Sequence, residues 1–265
     1  MIHPTAIIHP QAKLDATVCV GPYAVIDGDV ELGADCMVGP QVYLTGVTKI
    51  GNGNKFHAGC VIGDAPQDLK YKDEPTRLRI GDKNVFREHV TVHRATKLGE
   101  ETVIGAHNLF MAGSHVGHNC TVGDHVILVN GTALGGHVTV QDRAFLSGFC
   151  GVHQSTRIGT LSLTQGCSII SQDLPPFTIA AGVNIIRGLN VVGLRRAGFT
   201  AEQRLELKKL YHLLFRSEKN MGVALAEARG NFSSPPAKLL VDFVASAKHG
   251  VCADVGHASE KNEDE

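Results

Sequence analysis

Every sixth residue from Ile2 to Ile170 is a large apolar side chain, except at Asp68, Glu74 and Thr164. The series passes through Val20, Leu44, Phe56, Ile62, Ile80, Phe86, Leu98, Phe110, Val116, Leu134, Val152 and Ile158 without changing phase. An amphipathic helix repeats near 3.6 residues and a half-buried strand at two, so neither holds this phase. The fifth place of most hexads is small or β-branched, as at Ala24, Val30, Cys36, Thr48, Cys120, Val126 and Cys150. Glycine often follows the large residue, as at Gly21, Gly51, Gly117 and Gly135, and accepts the backbone angles that a sharp corner demands. One short strand per hexad and three hexads per coil predict a triangular parallel β-helix. At the usual strand spacing of ~4.8 Å, about nine coils would build a prism on the order of 45 Å long.

Between Ile62 and Ile80 the stretch DAPQDLKYKDEPTRLR is highly charged and carries two prolines. It reads as a loop ejected from the prism over about 64–79, the kind of segment that holds binding residues on a rigid scaffold. The repeat ends near Pro175-Pro176. Thr200 followed by Gln203 has the form of a capping box, opening a helix through AEQRLELKKLYHLLFRS. Two further helices are expected at Val223–Arg229, ending at Gly230, and at Pro236–Lys248. The organisation predicted is a β-helix over 1–185, a helical domain over 186–250 that caps its end, and a disordered polar tail over 251–265.

Composition narrows the class. Lysine and arginine number 25 against 26 acidic residues, so no global field recruits nucleic acid or an anionic membrane. Tryptophan is absent and aromatics are 5%, which suits a core of small, regular side chains. The seven cysteines form no C-x-x-C pair, which argues for a reducing compartment rather than a disulfide framework. No basic-then-apolar leader and no apolar run of bilayer length is visible. A cytoplasmic location is the expectation.

The chain has 14 histidines. Several, including His3, His9 and His57, read as surface corner residues. His118, His137 and His153 follow the hexads at Val116, Leu134 and Val152, which are one coil apart, and His115 sits at the neighbouring corner. His93 lies in the preceding part of the repeat. Three readings are open: a solvated face, a zinc site, or a general base. Zinc needs ligands converging at about 2.0–2.1 Å, whereas residues on successive coils are spread along the axis. A positioned imidazole can take the proton of a hydroxyl as it attacks a thioester. No G-x-S-x-G elbow is present, and Cys36, Cys60, Cys120 and Cys150 occupy inward places, so direct transfer is favoured over an acyl-enzyme.

Several stretches carry a specific resemblance: QDLKY and EPTR, VTVHR (Val90–Arg94), GSHVGHNCTVG (Gly113–Gly123), GHVTV (Gly136–Val140), VHQ, SQDLPPF and GLNVVGLRRAGF (Gly188–Phe199). In this order they resemble the UDP-N-acetylglucosamine O-acyltransferases that open lipid A biosynthesis. The resemblance implies left-handed winding and a homotrimer with active sites in the clefts between prisms. It implies transfer of a 3-hydroxyacyl group from acyl carrier protein to the glucosamine 3-hydroxyl. His118 would be the general base and His115 would orient substrate, with His93 beside them. Gln67, Asp68 and Lys70 would hold the sugar nucleotide, and His137 would hydrogen-bond near the reacting carbonyl. His153, Gln154, Asn190 and Arg196 would reach the nucleotide from the adjacent subunit, and Gly166 would leave room for a longer acyl chain. No metal or bound cofactor is implied, since the donor carries its own phosphopantetheine arm.

Two positions depart from the family pattern. Asn119 stands where aspartate commonly follows the histidine, and an amide adds no charge to stabilise an imidazolium. A weaker base is expected unless another carboxylate compensates. Ala197 replaces a further arginine. Rival readings are the related N-acyltransferase, which usually bears an extra N-terminal domain, an acyltransferase for a 3-amino sugar nucleotide, and a non-catalytic scaffold.

Overall fold

Large apolar residues six apart can all point inward only if the chain turns through a corner after each of them. In the computed structural model, which describes residues 1–254, that is what happens. Successive two- to four-residue strands fall in rotation on three walls. Among the described residues the first wall, from Ile7–Ile8 to Ile169–Ile170, has nine strands. The second, from Lys13–Leu14 to Arg157–Ile158, has eight. The third begins at Cys19–Val20 and runs through Leu163–Thr164 to the closing strands. Pairing along the repeat is parallel and in register, as in Val122 with Val140 and Leu134 with Val152. The whole is a left-handed parallel β-helix with a small C-terminal helical part.

The inward places do what the pattern demands. Ile26, Leu44, Ile62, Leu128, Leu134 and Leu146 are buried. Phe56, Phe86 and Phe110 stack with ring centroids 4.9 and 4.8 Å apart. Beside them a ladder of buried asparagines runs along the axis. Asn54 Oδ1 accepts from Asn84 N, Asn84 Oδ1 from Asn108 N, and Asn108 Oδ1 from Val126 N. These three steps span 30, 24 and 18 residues. A plain coil is 18 residues, so the chain carries excursions of twelve and six residues between Asn54 and Asn108.

Both excursions leave from one edge, the corner between the first and second walls. The longer joins strand Val61–Asp64 to strand Arg77–Ile80, and the shorter joins Thr91–His93 to Glu101–Ile104. The first expectation is therefore trimmed, because residues 77–79 belong to the second wall. The second excursion was not expected at all. Six residues restore the phase, so Leu98 counts as an inward position in the sequence yet is 66% exposed on the loop. Gly63 marks the departure of the long loop: φ is +87°, and a Cβ there would lie 2.2 Å from Thr45 O.

The far end differs from expectation in its boundaries. Strand Ile185–Leu189 folds back antiparallel on Thr178–Ala181, so the prism extends past residue 186. Helix α1, Val191–Arg196, was missed. Helix α2, Ala201–Phe215, opens on the expected Thr200–Gln203 capping box. Helix α3 runs Met221–Asn231, through Gly230, and α4 runs Pro235–Ala245. The proposed tail is ordered at its start: Ala253–Asp254 pairs with Ile185–Ile186, while 255–265 lie outside the described residues. Arg157 ties the two parts together. It pairs with buried Asp173, lies 4.3 Å from the Phe243 ring centroid, and donates to Phe243 O. No described helix is long and apolar enough to cross a membrane.

Candidate active site

The edge that ejects both loops also carries the histidines. His93 ends the first-wall strand Thr91–His93, and His115 begins strand His115–Val116, on the wall rather than at a corner. Thr91 pairs with His115 across the wall, and the two imidazoles meet edge to face at 5.1 Å. His118 lies in the following corner, Gly117–His118–Asn119. Its ring meets that of His137 edge to face at 5.2 Å. His118 is only 8% exposed and His93 only 6%.

The imidazoles are not simply stacked by an 18-residue step. His137 N donates to His118 O, and His137 (φ +59°) shares its left-handed corner place with Asn119 (φ +59°) and Ser155 (φ +65°). His118 is therefore matched by Gly136 in the next coil, and its ring lies over that glycine. A Cβ at 136 would come within 2.4 Å of the His118 ring. The stagger lets two neighbouring coils put rings edge to face rather than in collision. His153 shares the edge but is exposed, with Nδ1 on Gln154 O at 3.1 Å. No ring contact joins it to His137 among the described residues.

Hydrogen bonds settle the orientation of His118. Asn119 Oδ1 accepts from Thr96 N at 3.1 Å and from Thr96 Oγ1 at 3.0 Å, while its Nδ2 donates to Glu100 Oε2 at 2.6 Å. A backbone N–H can only donate and a carboxylate can only accept, so the amide cannot be flipped. Its oxygen therefore faces His118 Nδ1, 2.9 Å away. That nitrogen must carry a proton, so in the neutral ring the lone pair is on Nε2. His115 is anchored by a hydroxyl that can donate or accept, its Nδ1 2.7 Å from Thr91 Oγ1.

The surroundings keep the neighbours neutral. Burial, with the proximity of His93 and His118, pushes His115 down to about 4. Burial lowers His93 as well, against the opposing pull of Asp64. His137 is lowered by burial and His118, while Glu100 and Asp68 act in the other direction. The ejected loop thus places the Asp68 carboxylate within electrostatic range of His137. Asp68 Oδ1 accepts from Lys70 N, and Tyr71 accepts two hydrogen bonds from the Arg94 guanidinium. Arg94 also donates to Gly63 O, so one side chain pins the long loop to the base of the short one. Gln67 and Lys70 stand exposed on that loop.

Other expected residues lie elsewhere. Gly166 is at the opposite edge, between strand Leu163–Thr164 and strand Ile169–Ile170. A Cβ there would meet only Gly148 O at 3.6 Å, which leaves open space. Asn190 caps α1. Its Oδ1 accepts from Gly193 N and its Nδ2 donates to Leu161 O, so both ends of the amide are taken. Arg196 is exposed in the last turn of α1, followed by Ala197 at its C-cap. Glu100, Thr96, Thr91 and Gly136 were not anticipated. Only the Gly135-Gly136 doublet offered a signal, since the Asn119–Glu100 contact joins residues 19 apart across a loop that the phase conceals. Among the described residues no three His, Cys, Asp or Glu side chains are grouped as metal ligands. Burial pushes the Cys60 thiol to about 11 and Cys120 to about 12, far from the thiolate a nucleophile needs.

A hexapeptide prism with a buried, oriented imidazole at one edge is the architecture of a hexapeptide-repeat acyltransferase. Residues 29–64 and 101–136 match the bacterial transferase hexapeptide family, and the break between them spans the two excursions. Residues 173–252 match the second domain of UDP-N-acetylglucosamine O-acyltransferase. The acyl-[acyl-carrier-protein]–UDP-N-acetylglucosamine O-acyltransferase of Paraburkholderia phymatum is 41% identical over 94% of this chain and 98% of its own. The solved UDP-N-acetylglucosamine acyltransferase of Francisella novicida superposes with a TM-score of 0.94 at 32% identity, over 98% and 96% of the two chains. That of Acinetobacter baumannii gives 0.91 at 37%, over 94% and 98%. The chain belongs to the UDP-N-acetylglucosamine O-acyltransferase family.

Proposed function

We propose that this chain transfers a 3-hydroxyacyl group from acyl carrier protein to the 3-hydroxyl of UDP-N-acetylglucosamine, the first step of lipid A biosynthesis, with His118 as general base. The observation that carries the reading is the fixed tautomer of His118, whose Nδ1–H is held by Asn119 Oδ1. The unprotonated Nε2 takes the proton of the sugar hydroxyl as its oxygen attacks the thioester carbonyl carbon. The tetrahedral intermediate then expels the phosphopantetheine sulfur, which takes the proton back from the imidazolium. The carrier brings the only prosthetic group the reaction uses, so neither metal nor bound cofactor is required.

His115 and His93, neutral and aligned by Thr91 and by each other, orient the acceptor. Gln67, Asp68 and Lys70 on the ejected loop contact the sugar nucleotide, and His137 donates near the reacting carbonyl. His153 and Gln154 stand exposed on the same edge with no ring contact to the cluster among the described residues, Arg196 is exposed on α1, and Gly166 lies on another edge. In this reading a homotrimer brings the latter groups of one prism to the histidine edge of the next, in the cytoplasm. Asn190 then orients α1 rather than the ligand.

The test is an assay of purified protein with UDP-N-acetylglucosamine and acyl carrier proteins charged with different hydroxyacyl chains, read by mass spectrometry. His118→Ala should lower turnover at least about 10²-fold with an unchanged circular dichroism spectrum. Near-normal turnover in that variant removes His118 from its role. Acylation only of a 3-amino sugar nucleotide would replace the acceptor and leave the base in place.

A further inference from the structure

A general base that becomes an imidazolium gains from a nearby negative charge, and in this chain the residue touching Nδ1 of His118 is an uncharged amide. Asn119 nonetheless ends on a carboxylate. Its Nδ2 donates to Glu100 Oε2 at 2.6 Å, and its Oδ1 faces His118 Nδ1 at 2.9 Å. We infer that Glu100 is a positioning residue for His118, acting through Asn119 to lock the productive tautomer and to place a negative charge two hydrogen bonds from the imidazolium. The inference rests on the reading of His118 as the base.

Three features of the geometry support it. First, the contact is directional. Glu100 holds the Nδ2 end of the amide, so the oxygen is presented to His118, and Thr96 N and Oγ1 hold the same oxygen from the other side. Second, both ends of the Asn119 amide are engaged, the oxygen by His118 and Thr96 and the nitrogen by Glu100, and Asn119 N is held by buried Thr102 Oγ1. The residue cannot swing away. Third, Glu100 closes the six-residue excursion, which also supplies Thr96. The short loop therefore provides both anchors of the amide.

An amide in a chain of hydrogen bonds is polarised by a carboxylate at its nitrogen end, which makes its oxygen a stronger acceptor. The proton stays on His118 and only charge stabilisation is relayed. The other charged or titratable groups around the cluster are His93, His115, His137, Asp64, Asp68, Arg94 and Lys97. None of these bonds the Asn119 amide.

The test moves the charge by one residue. Glu100→Gln keeps an acceptor for Asn119 and removes the charge. It should lower kcat about tenfold with KM unchanged, and shift the acid limb of the kcat/KM profile to lower pH, because the imidazolium becomes harder to form. Asn119→Asp alone sets two carboxylates against each other and should be at least as impaired. The double variant Asn119→Asp with Glu100→Gln restores one charge and every hydrogen bond, and should recover kcat to within about threefold of the parent. Thermal midpoints are measured alongside. Unchanged kcat and pH profile in Glu100→Gln overturn the inference, as does an Asn119→Asp single variant as active as the double. Loss of activity in His118→Ala with no effect of Glu100→Gln would retain the base and remove only the role of Glu100. Activity retained in His118→Ala would remove both.

Discussion

The coils from Ile104 to Ile170 and those from Ile62 to Ile104 are built from the same hexads but do different work. In the first set each strand returns to its wall after one 18-residue turn, as Val126 does over Asn108. In the second the return takes 30 and then 24 residues, and the surplus is thrown out at a single edge. The regular coils supply identical corners, among them those of His118, His137 and His153. The interrupted coils supply what a corner lacks: Asp68 near His137, Arg94 on Tyr71, and Thr96 and Glu100 on Asn119. A solenoid makes rigid positions, and departures from its repeat make those positions different from one another.

Variants can break this division of labour. The largest effect should come from the regular coils. Leu146→Ala, at a fully buried place on the third wall, should cost about 2–5 kcal/mol by chemical denaturation. Turnover per folded molecule should be unchanged, and a comparable loss of turnover would mean that the coils are not a passive frame. The interrupted coils should respond the other way. Arg94→Ala removes the two bonds to Tyr71 and should raise KM for the sugar nucleotide about fivefold, with a smaller change in denaturation midpoint. A stability loss larger than the KM effect would make Arg94 a structural strut alone.

The smallest effect concerns acid stability. His115 is depressed to about 4 in the fold against an unfolded value of about 6.5. As pH falls through this window the unfolded chain binds its proton first. The stability from keeping the ring neutral is full above about 6.5 and lost toward about 4, with a slope of at most about 1.4 kcal/mol per pH unit. His115→Asn should flatten the stability profile in that window. An unaltered slope would show that burial of His115 beside His93 and His118 does not oppose its protonation.

The fold was legible because burial on three walls imposes one rule on every sixth residue, and from Ile8 to Ile170 the chain departs from it only at Asp68, Glu74 and Thr164. The same rule concealed the excursions. Leu98 is in phase yet exposed, because any insertion of six or twelve residues returns the pattern to register while moving a strand to a different wall. The helical part was read from its capping signals, which located α2 well. It was read less well where Asn190 caps the short helix α1 and where the chain returns at Ala253–Asp254 to the third wall.

Sequence alone determined the prism, the inward side chains, and the corner places of His118, His137 and His153, since these follow from local spacing and the cost of exposing apolar surface. Tertiary structure decided which histidines touch. A one-residue stagger between coils brings His137 beside His118 over Gly136, and a shared edge gathers loops from distant hexads. It also decided what the amide of Asn119 does, because hydrogen-bond partners depend on where the chain comes back rather than on neighbours along it.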